Sequence, residues 1–297
     1  MWLVAAFALA GGLAQFVDGT LGMGFGVTSA TVLLALGVAP ATASAATHAA
    51  KLPTTLISGL SHWRAGNVDP KILVRVALPG MVGGFLGAVV LTSISLEAAK
   101  GSMAGLLIFF GVVILARFGF GVRIIPTPKN GHTARWLSPI GLLGGFVDAT
   151  GGGGWGPVVT PSLMTVTKHE PRYVVGTTNA AEFAVAVSVS TGFVTGAAHQ
   201  DIPWMPVIGL MVGGVIVAPI AARLAGRLPH APMGAMVGGL VILVNAVAVI
   251  GSITDLPGWL DAALILLWLS LVAQIARRAW SRERAERAAA VEPAVAG

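Results

Sequence analysis

Cysteine is absent from the 297-residue chain, and charged side chains make up only 10% of its positions. Without cysteine, neither a disulfide framework nor a thiolate metal site can form. Soluble domains carry roughly 25% charged residues, so the scarcity of charge argues against a soluble protein. Hydrophobic residues account for 55% of the positions, which is more apolar surface than a soluble core can bury. The composition therefore indicates a membrane protein.

Long apolar runs with few or no charges support that conclusion. Stretches of about 20 predominantly apolar residues are long enough to cross a bilayer as helices. Runs close to that length occur at 72–92, 103–116, 207–222 and 233–251. The net charge of +6 comes from basic residues between these runs and in the C-terminal tail, which is typical of loops rather than of a nucleic-acid surface. We therefore expect contact with the lipid bilayer and none with nucleic acid.

An internal repeat with an offset of 130 residues organises the chain. The segment 16–26 (FVDGTLGMGFG) aligns with 146–156 (FVDATGGGGWG), and seven of the eleven positions are identical. After a slip of one residue, 47–51 (THAAK) aligns with 178–182 (TNAAE). Such self-similarity decides the architecture, because each copy is expected to fold as the same unit.

Each copy is predicted to hold a glycine-broken apolar segment followed by three transmembrane helices. The broken segments are 1–36 and 137–167, and the helices are predicted at 41–62, 71–92, 98–117, 173–198, 204–225 and 232–250. The sequence thus predicts an all-α polytopic membrane protein with five parts. These are a first membrane repeat at 1–117, a linker at 118–136, a second membrane repeat at 137–251, an additional transmembrane helix at 258–279 and a tail at 280–297.

Basic residues favour the cytoplasmic ends of membrane helices. We therefore place the arginine-rich tail and the basic linker in the cytoplasm, on the inner side of a bacterial inner membrane. The linker stays there only if 137–167 dips into the membrane and returns as a re-entrant segment, and the same rule places Met1 outside. This topology has seven full crossings and an odd number of crossings in each repeat, so the two repeats are predicted to be inverted. Inverted repeats that meet at broken helices are the architecture of many secondary transporters.

The two glycine breaks form the first candidate binding site. Broken backbone inside a membrane is tolerated only where it is buried in protein or lines a wet cavity, so the breaks are expected to face one another at the centre of the protein. The half-helix after each break offers free amides and a partial positive charge suited to an anion, and Thr20 and Thr150 would add hydroxyl donors. The glycines assigned to this site are Gly22, Gly24, Gly26, Gly152, Gly153 and Gly154. The alternative is that these glycines only permit tight helix crossing.

Ionisable residues inside membranes are costly and are functional by default. Lys51 lies near the middle of the predicted helix 41–62, and its repeat partner is Glu182. The two either pair with each other or act separately, as an anion ligand and a proton acceptor. Asp18 and Asp148 precede the two breaks, where each either caps a half-helix or carries a coupling proton.

His48 and its repeat partner Asn179 lie about one helical turn before Lys51 and Glu182 respectively. His48 either takes part in proton coupling or hydrogen-bonds to another helix, and we assign Asn179 to the substrate site together with Thr47 and Thr178. The remaining histidines show no metal-ligand spacing. The segment 151–156 satisfies a dinucleotide fingerprint, but no strand precedes it as that site requires. No metal and no cofactor are therefore expected.

The doubled order of motifs resembles the sulfite exporter TauE/SafE family, and the resemblance covers nearly the whole chain. The motifs are Gly19–Gly26, Pro40 and Ala45–Thr47 in the first copy, and Gly151–Pro157, Pro171 and Gly176–Thr178 in the second. The resemblance implies a bacterial inner-membrane transporter of sulfite, sulfonates and related organic anions. The second break is denser in glycine than the first, so the two halves are not expected to contribute equally.

The sequence therefore favours a secondary exporter of small organic or sulfur-containing anions that works by alternating access between inverted repeats. No P-loop is present, so a gradient would drive transport. An anion channel and a proton-coupled cation transporter using Asp18, Asp148 and Glu182 remain alternatives. No catalytic motif supports an enzyme. The substrate, the direction, the coupling ion and the oligomeric state stay open, with a homodimer as one candidate.

Overall fold

The computed structural model describes residues 2–122, 133–167, 169–196, 202–225, 227–254 and 257–291. Within these residues the chain is all-helical, with eleven α-helices and no strand. The first five helices are α1 (Trp2–Leu21), α2 (Phe25–Ala35), α3 (Pro40–Arg64), α4 (Pro70–Ser93) and α5 (Leu96–Ile114), which continues as a π-helical segment, Leu115–Gly119. The others are α6 (Thr133–Gly151), α7 (Trp155–Val166), α8 (Pro171–Gly196), α9 (Trp204–Leu224), α10 (His230–Ile253) and α11 (Gly258–Val291).

Six helical stretches are long and apolar enough to cross a membrane. They are Leu3–Leu21, Pro70–Ser93, Leu96–Gly119, Trp204–Leu224, His230–Gly251 and Gly258–Glu286. Helices α3 and α8 are at least as long as most of these, with 25 and 26 residues. They are less apolar because polar side chains occupy a buried face of each. The described residues therefore form a multi-pass helical membrane protein.

The last helix is longer than the sequence predicted. We expected a helix at 258–279 followed by a tail at 280–297, whereas α11 continues to Val291. The reason is composition, because 281–291 (SRERAERAAAV) is rich in alanine, arginine and glutamate, which are strong helix formers. Residues 292–297 of the predicted tail and 123–132 of the predicted linker lie outside the described residues.

Each glycine break separates two helices. Gly22, Met23 and Gly24 lie between α1 and α2, and residues 152–154 lie between α6 and α7. Gly22 and Gly152, which are equivalent in the repeat, have nearly identical positive φ angles of 73° and 72°. Other residues reach this backbone conformation only at a steric cost, so glycine is what allows the helix to stop and restart there.

The structure divides into two compact units. The larger comprises Met1–Leu107 and Ile125–Gly226, and the smaller comprises Ile108–Ile124 and Arg227–Gly297. In the larger unit α1 packs on α9, and α6 packs on α4 in the equivalent way, while α3 packs on α8 between them. These contacts depend on small residues. A side chain at Gly83 would collide with the carbonyl of Leu142, and one at Gly213 would collide with that of Ala8, which is the close backbone approach typical of membrane helices.

The smaller unit consists mainly of α10, α11 and the π-helical segment. Trp268 of α11 donates from its indole nitrogen to the carbonyl of Gly239 on α10 at 2.8 Å. The carboxylate of Glu283 accepts from the backbone amides of His230 and Ala231 at 3.1 and 2.9 Å. Glu283 thereby supplies the acceptor that the start of α10 needs, and it fixes the arginine-rich C-terminal end of α11 against α10 through a charged hydrogen bond.

Candidate functional site

The two glycine breaks lie directly against each other, as the sequence predicted. The backbone of Gly153 packs on that of Gly26 and Val27, so tightly that a methyl group on Gly153 would overlap Gly26 and Val27. The hydroxyl of Thr160 on α7 donates to the carbonyl of Gly22 at 2.5 Å. The breaks are therefore joined by both packing and hydrogen bonding.

Each break is capped by the aspartate that precedes it. Oδ1 of Asp18 accepts from the amide of Phe25, the first residue of α2, at 3.3 Å. Oδ1 of Asp148 accepts from the amide of Trp155, the first residue of α7, at 3.0 Å. A carboxylate here satisfies a free amide and meets the positive end of the half-helix. The capping alternative thus describes both aspartates in this conformation.

Lys51 joins the two repeats through an ion-pair network. Its Nζ donates to Oδ1 and Oδ2 of Asp148 at 2.8 and 3.1 Å and lies 2.9 Å from Oε1 of Glu182. Its side chain is only 1% exposed. Lys51 and Glu182 therefore pair directly, which the sequence left open. The ammonium group also lies beside Gly26, where a side chain would collide with it.

His48 makes a further hydrogen bond to the carboxylate of Asp148. Its Nε2 lies 3.0 Å from Oδ2 of Asp148, and its Nδ1 lies 2.8 Å from the carbonyl of Ser44. Both neighbours are acceptors, so the geometry fits an imidazolium that donates from each nitrogen. The hydroxyl of Ser44 in turn donates to the carbonyl of Ala149 at 2.6 Å, which holds α3 against the end of α6.

Asn179, the repeat partner of His48, makes different contacts. Its Nδ2 donates to the carbonyls of Val175 and Asp18 at 3.1 and 3.5 Å, and its Oδ1 accepts from the hydroxyl of Ser58 at 2.8 Å. Asn179 thus bonds to the backbone carbonyl of Asp18 and not to its carboxylate. Oδ2 of Asp18 is buried and has no hydrogen-bond partner among the described residues.

The threonines assigned to the site bond mainly within their own helices. Three hydroxyls donate a hydrogen bond to the backbone carbonyl one turn back: Thr20 to Phe16 at 2.7 Å, Thr150 to Phe146 at 3.0 Å and Thr178 to Val174 at 2.8 Å. In this conformation Thr20 and Thr150 do not act as the donors that the sequence suggested, because a hydroxyl has a single proton. Thr47 differs, since its hydroxyl is buried and has no hydrogen-bond partner within the described part of the chain.

The glycines of the breaks also divide into two groups. Gly24 and Gly154 face their own preceding helices, where a side chain would meet Val17 and Val147 respectively. Gly26 and Gly153 face each other across the interface. Of these four glycines, Gly26 and Gly153 lie in the contact between the two breaks, and Gly24 and Gly154 do not.

Sequence reasoning missed a buried polar stripe along α3. It includes Ser44, His48, Lys51, Thr55, Ser58 and His62, all buried and spaced three or four residues apart. His62 lies at the end of the stripe, with Nε2 3.2 Å from the carbonyl of Gly19 at the first break. The helical spacing of polar residues was visible in the sequence and is the signal that would have revealed it. The side-chain amide of Gln15 is also buried, and neither its oxygen nor its nitrogen has a hydrogen-bond partner among the residues described here. In the sequence it was detectable as a lone amide in an apolar run.

Within the part of the chain that the structure describes, no group of three histidine or acidic side chains could hold a metal ion. The family model described as sulfite exporter TauE/SafE matches residues 7–248 of this chain, a segment that includes both breaks and the whole Lys51 network. The chain belongs to the TauE/SafE family.

Two curated relatives agree with that assignment. The chain is 42% identical over 270 residues, 90% of each chain, to the probable membrane transporter protein YtnM of Bacillus subtilis (strain 168). It is 25% identical over 233 residues to the probable membrane transporter protein YdhB of the same organism, covering 77% of this chain and 91% of that one. No solved structure gives a significant match. This TauE/SafE protein is therefore a membrane transporter, and α11 lies beyond the segment that defines the family.

Proposed function

We propose that this protein is a secondary transporter, working as an exporter, of small organic or sulfur-containing anions such as sulfite and sulfonates across the bacterial inner membrane. The observation that carries the proposal is the buried ammonium group of Lys51, which lies beside the first turn of α2 and bonds to the cap of α7. A buried lysine next to two helix N-termini is suited to an anion.

The protein's own carboxylates support the same chemistry. Asp148 presents an oxyanion to a helix amide, to Lys51 and to His48 within 3.1 Å. A sulfonate, a sulfite or a carboxylate has the same kind of acceptor oxygens and would form the same charge-assisted hydrogen bonds. We propose that the substrate binds Lys51 in exchange for one of its present carboxylate partners.

How closely the two breaks meet supports a mechanism of alternating access. Because Gly153 leaves no room for a methyl group against Gly26 and Val27, an anion can pass only after the two breaks separate. The equivalent packing of α1 on α9 and of α6 on α4 supports two repeats that move against each other. We propose that these repeats are inverted, with an external N-terminus and with a linker and tail in the cytoplasm.

A proton-coupled cation transporter is the second candidate, because the buried network has three carboxyl groups, those of Asp18, Asp148 and Glu182. Flux assays in proteoliposomes separate the candidates. Sulfite, sulfoacetate, thiosulfate and simple carboxylates are offered beside the zwitterion taurine and the cations sodium and potassium. The proposal expects saturable flux of at least one anion and little flux of taurine. Flux restricted to cations would support the second candidate instead.

A further inference from the structure

The buried network holds more acidic groups than basic ones. Its acids are Asp18, Asp148 and Glu182, its bases are Lys51 and His48, and all five are at most 3% exposed. Even when His48 is an imidazolium, three carboxylates would face two cations. An unbalanced charge is costly in the low-dielectric interior of a membrane protein. A substrate anion would add one more negative charge to this network.

Asp148 is poorly placed to take up a proton that would reduce this excess of negative charge. Lys51, His48 and the amide of Trp155 all donate to its two oxygens, at distances between 2.8 and 3.1 Å. A proton on either oxygen would meet only donors. Asp148 is therefore a fixed acceptor for Lys51 and His48.

Asp18 is its repeat equivalent and has the opposite environment. The amide of Phe25 donates to Oδ1 at 3.3 Å, and Oδ2 has no partner among the residues that the structure describes. The repeat explains the difference. Where Lys51 and His48 donate to the carboxylate of Asp148, their counterpart Glu182 acts on Asp18 as a like charge, and their counterpart Asn179 donates only to the backbone carbonyl of Asp18. Asp18 and Glu182 thus form a pair of acids at the position where Asp148 and Lys51 form an ion pair.

Among the described residues, no cation is paired with Asp18 alone. The charged groups that act on it are Glu182 on α8, Lys51 on α3 and Asp148 on α6. The ammonium of Lys51 is already bonded to both other carboxylates. Helix α2 contributes only the amide of Phe25, and the charged residue of α9, Arg223, is exposed in its last turn.

We infer that the pair formed by Asp18 and Glu182 takes up a proton when the anion binds, so that anion and proton cross the membrane together. The inference rests on the proposed transport of anions. A proton from the solvent on the loading side binds a carboxylate oxygen of the pair, which offsets one negative charge of the anion. Protonation of Glu182 also weakens its bond to Lys51, whose ammonium can then bind the anion.

Release on the other side reverses these steps. The anion leaves Lys51, the proton leaves to the solvent, and the bond between Lys51 and Glu182 forms again. Anion and proton move in the same direction, so the sum of their two electrochemical gradients sets the direction of transport. Export then requires an outward anion gradient larger than the opposing proton gradient.

Calorimetry of sulfoacetate binding to the purified full-length chain tests this inference. Near neutral pH both acid groups of the ligand are ionised, so any proton taken up goes to the protein. Titrations in buffers of different ionisation enthalpy give the protons bound per anion. We expect about one proton per anion, with an affinity that weakens up to about tenfold per pH unit in the alkaline range.

Two variants complete the test. The double variant Asp18→Asn with Glu182→Gln should bind the anion without proton uptake and without pH dependence. The matched control, Glu97→Gln, removes an exposed acid in the first turn of α5 and should behave as wild type. Anion binding by the wild type without proton uptake would overturn the inference and leave the proposed function standing. Proton uptake that persists in the double variant would overturn the assignment to this pair.

Failure of the proposed function gives a different result. If sulfoacetate, sulfite and thiosulfate all fail to bind to well-folded wild-type protein, both the proposed function and the inference that rests on it are wrong. Should the double variant not fold, the proton uptake of the wild type alone still decides whether anion and proton bind together.

Discussion

Nζ of Lys51 on α3 lies 2.8 Å from Oδ1 of Asp148 on α6. The two residues are 97 positions apart, belong to different repeats and are almost completely buried. Because Asp148 also caps α7, the ion pair connects the centre of one repeat to the helix break of the other. Any movement of the repeats against each other must strain or exchange this contact.

Lys51→Met is expected to destabilise the protein by about 3–5 kcal/mol, because it leaves two buried carboxylates without their cation. The double variant Lys51→Met with Asp148→Asn should recover part of that loss, since one of the uncompensated charges is removed. Neither variant should transport anions. Thermal unfolding in detergent measures the first effect, and flux in proteoliposomes measures the second. A Lys51→Met protein as stable as wild type would mean that the ion pair is not formed in the membrane.

Gly153→Ala should destabilise the protein by about 1–3 kcal/mol or more and reduce flux strongly, because the added methyl group overlaps the backbone of Gly26 and Val27. Gly105→Ala is the matched control, since nothing lies within 4 Å of a methyl group at that helical position. It should be neutral or slightly stabilising, as alanine favours helix over glycine. Equal flux in both variants would show that the breaks do not need to touch.

Glu182→Gln should flatten the dependence of flux on pH. In the wild type, flux should fall as the pH rises, because Glu182 loses the proton that offsets the anion. Glutamine keeps an acceptor oxygen for Lys51 but cannot release a proton, so the variant should lose this decline. The measurement is the initial rate of anion flux over a range of pH, with Glu97→Gln as the exposed control. Identical profiles for Glu182→Gln and wild type would remove Glu182 from the coupling role.

Much of this site could be predicted because the repeat aligns its residues in pairs. The alignment identified Lys51 with Glu182 and Asp18 with Asp148. The structure joins Lys51, Glu182 and Asp148 in one ion-pair network, and Asp18 interacts with it electrostatically. It could not say which aspartate Lys51 would bind. That choice depends on how α3 packs between α6 and α8, and on Ser44, whose hydroxyl holds the end of α6 in place.

Local hydrogen-bond competition was harder to predict than the fold. A threonine near a helix break looks like a free donor in sequence, but its hydroxyl proton already bonds to the carbonyl one turn back, as Thr20 and Phe16 show. His62 was overlooked for a related reason. It lies 14 residues beyond His48 in the chain, and only the helical periodicity of α3 places it on the same buried face.

The proposed topology is tested by labelling single cysteines, which this cysteine-free chain makes straightforward. Ala65→Cys, just after α3, and Lys129→Cys, in the predicted linker, should react with an impermeant thiol reagent only from the cytoplasmic side. Gly251→Cys, at the exposed end of α10, should react only from outside. Position 129 lies outside the described residues, so its labelling depends on topology alone. Labelling of Lys129→Cys only from the outside would contradict the inverted arrangement.

Counterflow in proteoliposomes tests the central claim most directly. Vesicles are loaded with unlabelled sulfoacetate, diluted into a trace of labelled sulfoacetate, and compared for wild type, Lys51→Arg and Lys51→Ala. A transporter that alternates between two sides exchanges the label faster when its substrate is present inside, whereas a channel does not. We expect wild-type vesicles to accumulate label transiently, Lys51→Arg to retain part of this exchange because it keeps the positive charge, and Lys51→Ala to lose it. Wild-type counterflow in a well-folded Lys51→Ala protein would contradict an anion site at Lys51.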